Sequence, residues 1–141
     1  MTRADVQEVM AIERHAYTYP WSERFFLQEL TAHCARALIA QINDRITGYI
    51  LFWTLPDAVD IHNIAVHQNF RRRGIGRELL CKAVETAQKR NLPRVTLEVR
   101  KSNLGAQKLY ESQGFVWTGI RRGYYSDDGE DAIMMTLELK F

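Results

Sequence analysis

The sequence predicts a mixed α/β layer fold, with elements in the order α-α-β-β-β-α-β-α-β-β. Three observations predict it. Segments with apolar residues three and four apart alternate with short, alternating or β-branched segments. Breaks at Pro20, Asn43-Asp44-Arg45, Pro93 and Gly114 separate them. The chain has 141 residues, 46% hydrophobic and 26% charged, which suits one domain over 1–141 with a real core.

Taken in order, Val6, Val9, Met10 and Ile12-Glu13 have helical spacing, with Thr2 and Asp5 as candidate N-caps. Tyr17 to Trp21, containing Pro20, breaks that helix. Ser22 caps a second one, whose apolar residues are Phe25, Phe26 and Leu30. Ala37 to Gln41 and Ile46 to Thr54 read as strands joined by the turn Asn43-Asp44-Arg45, and Val59 to Val66 as a third. A helix from about Gly74 to Arg90 buries Ile75, Leu79, Leu80, Ala83, Val84 and Ala87. After Pro93, Arg94 to Val99 alternates as a strand. A short helix runs from about Asn103 to Ser112, and Gly114 suits a left-handed cap. Phe115 to Thr118 and Ala132 to Leu139 complete the sheet.

Composition excludes several classes. The aromatic content of 11%, with only 8 Gly and 3 Pro, excludes a disordered or collagen-like chain. The longest apolar run, Tyr49 to Trp53, is far below the roughly 18 residues of a membrane span. MTRADVQEVM has no apolar region of the signal-peptide kind. Cys34 and Cys81 form no CxxC, so a cytoplasmic setting with reduced thiols and no membrane is expected. The four histidines show no metal spacing, and no metal is expected. The net charge of +2 is too small to argue for nucleic acid, yet it is unevenly spread. Arg71, Arg72, Arg73 and Arg77 cluster in mid-chain, and Asp127, Asp128, Glu130 and Asp131 near the end.

The arginine cluster carries the chemistry. Arg71-x-x-Gly74-Ile75-Gly76-Arg77 follows a strand and opens a helix. Glycines there let backbone N–H groups approach an anion, the helix start adds unpaired donors, and arginines add full charge. It is neither a Walker loop nor a dinucleotide fingerprint. A plain basic helix start is the competing reading. On the strand Arg94 to Val99, Glu98 is a lone acid opposite Leu97 and Val99, where an unpaired buried carboxylate is costly. It serves either as a functional acid or as a partner for Arg100 or another cation. Tyr110 lies seven residues after Asn103, about two helical turns, so both project from one face. Tyr110 is otherwise a core tyrosine against Leu109 and Phe115.

Arg71-x-x-Gly74-x-Gly76 resembles the pyrophosphate-binding signature of the GCN5-related N-acetyltransferases (GNAT). Asn63-Ile64-Ala65-Val66, Leu97-Glu98-Val99-Arg100, Ser102-Asn103 and Leu109-Tyr110-Glu111-Ser112-Gln113-Gly114-Phe115 fall in that family's order. Ile120-Arg121-Arg122-Gly123-Tyr124-Tyr125, Gly129-Glu130-Asp131-Ala132 and Pro20-Trp21-Ser22 are similar to the bacterial ribosomal-protein-alanine N-acetyltransferases (the RimI group). The likeness runs from about Asp5 to Leu139.

The resemblance implies a mostly antiparallel sheet splayed in the middle, helices on both faces, and a first strand that is short or missing. It implies acetyl-CoA as acetyl donor, with the product coenzyme A. Arg71, Arg72, Arg73, Gly74, Ile75, Gly76, Arg77 and Asn103 would hold this cofactor, with Ile64, Ala65 and Val66 pairing along its arm. Glu98 would be the general base and Tyr110 the general acid. Tyr17, Tyr19, Trp21, Tyr124 and Tyr125 would flank the amine, with Asp127 and Asp128 drawing in a basic peptide. The implied substrate is a protein N-terminus, best the alanine of a basic small-subunit ribosomal protein. A lysine side chain or small-molecule amine is the nearest alternative acceptor. An RNA- or ribosome-binding module built on Arg71 to Arg73 leaves Glu98, Asn103 and Tyr110 unexplained, so no direct nucleic-acid partner is expected.

Overall fold

The computed structural model describes residues 1–140. A single 3₁₀ turn, Arg3–Asp5, leads into α1 (Val6–Ala16), and no strand precedes α1 among the described residues. Asp5 occupies the N-cap position, but its carboxylate turns back to accept from the Thr2 amide at 2.7 Å. The cap of α2 (Glu23–Thr31) is as expected: Ser22 Oγ accepts from the Phe25 amide at 3.1 Å.

Next come β1 (Ala35–Ile42), β2 (Arg45–Thr54) and β3 (Val59–Val66). The turn between β1 and β2 is tighter than expected. Asn43 (φ 51°) and Asp44 (φ 64°) form it alone, a two-residue hairpin with both φ positive, and Arg45 is the first residue of β2. Helix α3 (Ile75–Lys89) buries Ile75, Leu79, Leu80, Ala83 and Ala87; Val84, expected in the core, is only partly buried. Then follow β4 (Arg94–Arg100), α4 (Leu104–Ser112), β5 (Val116–Arg121) and β6 (Ala132–Glu138). Phe115 is buried ahead of β5 rather than in it, and β5 runs on past Thr118 to Arg121.

The six strands form one sheet in the order β1-β2-β3-β4-β6-β5. Successive β2 residues feed opposite faces. Ile50 and Phe52 join the core under α3 and α4, while Ile46, Tyr49 and Leu51 join the core under α1 and α2. All pairings are antiparallel except β3 with β4, which holds for three pairs only, Val59↔Val95 to Ile61↔Leu97. The β2–β3 register shifts at that level: Leu51 faces Asn63 and Phe52 faces Ile61, leaving His62 as a bulge. A bulge bends its strand and sharpens the local twist. Beyond Ile61, β3 and β4 therefore diverge, and the gap between them is the site.

Candidate active site

Two clefts meet in that gap. The larger, about 790 Å³, runs along the diverging part of β3 to the start of α3. It is lined by Ile64, Ala65 and Val66, by Arg71, Arg72 and Arg77, and by Gly74, Ile75 and Gly76, with α4 opposite. Gly74 has φ 81° and precedes the helix, a conformation that side chains resist. The first bond of α3 runs from the Glu78 amide to Gly74 O at 3.0 Å, so the Ile75, Gly76 and Arg77 amides have no helical acceptor. A Cβ on Gly76 would lie 3.4 Å from Leu109 and 3.5 Å from Val66, both cleft residues. Free amides, a bare backbone and three arginines suit a pyrophosphate, and an extended slot suits the arm attached to it.

Arg73 departs from expectation. It is absent from the cleft wall, and its guanidinium lies 5.2 Å above the Phe70 ring. Asn103 is the N-cap of α4 rather than part of it, with Oδ1 accepting from the Ala106 amide at 3.2 Å. Its side-chain N–H groups remain for the clefts it lines. Ile64 is also partly committed, because its carbonyl accepts from the Tyr17 hydroxyl.

The smaller cleft, about 200 Å³, opens on the other side of the gap. Glu98, Tyr17, Trp21, Tyr125 and Asp127 line it as expected. Glu98 is neither lone nor buried. Its side chain is 27% exposed and pairs with Arg121 Nε at 2.8 Å, so of the two expected kinds of partner, Arg100 or another cation, it takes another cation. Tyr124 stands outside the cleft wall, edge-on to Tyr125 at 5.1 Å. Its hydroxyl titration is raised first by hydrogen bonding to Glu98, then by burial.

Arg100 instead gathers the acidic run. Its guanidinium meets Asp127 at 2.6 Å, Asp128 at 3.0 Å and Glu130 at 3.4 Å, and lies 4.0 Å over the Tyr125 ring. Asp131 accepts from the Gly123 amide at 2.9 Å. Asp127 and Asp128 are thus not a free steering patch; they brace the loop that carries Tyr125, and Asp128 is outside the cleft wall. Burial pushes the Tyr125 phenol up to about 12, although Arg100 pulls the other way.

Tyr17, Ile64, Asn103 and Tyr110 line both clefts and mark where they join. The Tyr110 ring is buried against Phe115 at 5.9 Å, as a core tyrosine would be, yet the residue lines both clefts and its hydroxyl makes no hydrogen bond among the described residues. Burial, with a smaller contribution from Tyr125, raises its pKa and keeps the phenol protonated.

Glu13 and His62 are polar lining residues that the sequence did not mark as part of the site. Glu13, 1% exposed, accepts from the Tyr49 hydroxyl, from Asn63 Nδ2 at 2.8 Å and from the Trp21 amide at 2.9 Å. The signal was an acid on the apolar stripe of Val6, Val9 and Ala16. His62 lies between Asp60 (3.1 Å) and Glu29 (3.4 Å), and these carboxylates raise its pKa against the opposing effect of burial. It sits at the β3 bulge, where simple alternation does not say which face a side chain takes, so spacing could not have found it. No group of three metal-binding side chains occurs among the described residues, and no helix is long and apolar enough to cross a membrane.

Comparison with known proteins agrees with this geometry. The sequence model of the Acetyltransferase (GNAT) family matches residues 6–115. The ribosomal protein bS18-alanine N-acetyltransferase of Salmonella typhimurium is 37% identical, over 99% of this chain and 95% of its own. The crystal structure of the Escherichia coli ribosomal-protein-S18-alanine N-acetyltransferase superposes with a TM-score of 0.89 at 34% identity, covering 100% of this chain and 92% of that one. A GNAT acetyltransferase from Elizabethkingia anophelis with acetyl-CoA bound gives a TM-score of 0.74 at 27% identity, over 84% of each chain. With the anion loop on α3, the splayed strands and these relatives, the chain belongs to the GNAT family and is an acetyl-CoA-dependent N-acetyltransferase.

Proposed function

We propose that the acceptor is a protein N-terminal amine, best the N-terminal alanine of ribosomal protein bS18, and that Glu98 and Tyr110 carry the proton transfers. The observation that supports this most is the unpartnered, protonated Tyr110 hydroxyl at the junction of the two clefts. Acetyl-CoA supplies an electrophilic thioester carbonyl and a sulfur leaving group. The free amides at the start of α3, with Arg71, Arg72 and Arg77, hold the phosphate end, and Ile64 to Val66 and Asn103 hold the arm. Tyr110 donates its proton toward the departing sulfur. Glu98, oriented by Arg121, accepts the amine proton from the other side through water.

The acceptor side is a small cleft walled by Tyr17, Trp21 and Tyr125, which favours a small first residue over a long lysine chain. The relatives named for alanine N-acetylation support that choice. Incubation with acetyl-CoA and peptides varied at residue one, read by mass spectrometry, tests it. A mass gain of one acetyl on the α-amine of Ala-starting peptides is expected. Equal or faster modification of internal lysines overturns the N-terminal reading.

A further inference from the structure

A third cavity, about 220 Å³, lies between α1 and the β2–β3 end of the sheet. Its wall includes Glu8, His15, Arg45, Val66, His67 and Arg71, and it shares only Val66 and Arg71 with the cofactor cleft. The His67 tautomer is set by its surroundings. Nδ1 accepts from the Asn69 amide at 3.0 Å, so the neutral ring carries its proton on Nε2. Nε2 stands 3.2 Å from Arg45 Nη2, and a guanidinium nitrogen only donates. Two donors therefore face one another with no acceptor between them. Arg45 has no carboxylate partner among the described residues. The one acid in the wall, Glu8, is engaged through Oε2 by the Ile46 amide at 2.7 Å.

We propose that this cavity binds a phosphate-type oxyanion, one oxygen of which accepts from Arg45 Nη2 and His67 Nε2 together. Such an oxygen converts the donor–donor contact into two charge-assisted hydrogen bonds. Arg45 and Arg71 outweigh Glu8, so the wall is positive even with both histidines neutral. The titration of His67 agrees: burial, then the charges of Arg45, His15 and Arg71, hold its pKa below the ordinary value. The anion is either the 3′-phosphate of the cofactor, reaching across Val66 and Arg71, or a phosphate on a separate molecule.

The test follows the His67 ring nitrogens by NMR while inorganic phosphate is added at constant ionic strength. Saturable movement is expected, weakened at least tenfold in Arg45→Gln. That variant should keep its melting temperature and its kcat at saturating acetyl-CoA, since Arg45 lines neither cleft. If acetyl-CoA moves the ring and 3′-dephospho-acetyl-CoA does not, the cofactor's 3′-phosphate fills the site. If phosphate still moves the ring at saturating acetyl-CoA, the site takes a separate phosphate. A ring that phosphate and acetyl-CoA both leave unmoved overturns the proposal. So does an undiminished response in Arg45→Gln, or a response abolished equally by acetyl-CoA and its dephospho form, which places the anion on the α3 loop.

Discussion

Tyr110 and Glu98 show how one residue is both packed and exposed to chemistry. Tyr110 rests its ring on Phe115, so removing the ring opens a cavity, whereas removing the oxygen alone leaves the packing intact. Tyr110→Phe should therefore melt within a degree or two of the parent and bind acetyl-CoA as tightly. Its kcat should fall by about 100-fold or more, as for loss of a general acid. Full kcat in a folded Tyr110→Phe would make Tyr110 a packing residue. Glu98 is held by Arg121 rather than buried alone, so Glu98→Gln should also fold normally. Its kcat should drop by roughly 10²–10⁴ near neutral pH. The deficit should narrow at high pH, where more of the substrate amine is already neutral. A profile parallel to the parent's at every pH would reduce Glu98 to a surface ion pair.

At the level of elements, α1 is tied to the sheet by one carboxylate. Glu13 takes three donors, from β2 (Tyr49), β3 (Asn63) and the backbone at Trp21, and so fixes both the pitch of α1 and the wall of the acceptor cleft. Glu13→Ala leaves those donors buried without an acceptor and should destabilise the protein by roughly 3 kcal/mol. Glu13→Gln keeps an acceptor and should cost less than half as much. Equal melting temperatures for parent and Glu13→Ala would show that water replaces the carboxylate. The loop from Arg122 to Asp131 follows the same logic at the surface. Asp127, Asp128 and Glu130 converge on Arg100, a β4 residue, so the loop carrying Tyr125 is positioned by the strand that carries Glu98.

The whole molecule is a sheet built to open. Three parallel β3–β4 pairs hold it at one end, and the bulge at His62 releases it at the other. The two halves are bridged there by cleft residues rather than by strand hydrogen bonds, so a ligand in the cleft should stiffen the fold as a unit. At one hundred times its Kd, acetyl-CoA should add about 2.7 kcal/mol. For a chain of this size that is a rise in Tm of about 8 °C. Gly76→Val places γ carbons between Leu109, Val66 and the expected path of the pyrophosphate, and should abolish that rise. A Gly76→Val protein that acetyl-CoA stabilises as much as the parent would mean that α3 does not hold the phosphates.

Much of this was legible in the chain because the signals are local. Apolar spacing marked α3, Ser22 marked the start of α2, and the glycines and arginines from Arg71 to Arg77 marked the anion loop, since each depends only on neighbours a few residues away. Arg73 was misplaced because stacking on Phe70 competes with facing the cleft, and spacing does not say which wins. The partners of charged groups were beyond reach for a different reason. Glu98 with Arg121, Arg100 with the acidic run, Glu13 with Asn63, and Arg45 facing His67 each join residues 22 to 50 positions apart. A carboxylate's partner is whichever donor the fold delivers within about 3 Å, and many sequence positions carry an equally suitable one. The composition of the site is therefore a property of the chain, and its pairing, its bulge and its open gap are properties of the packed sheet.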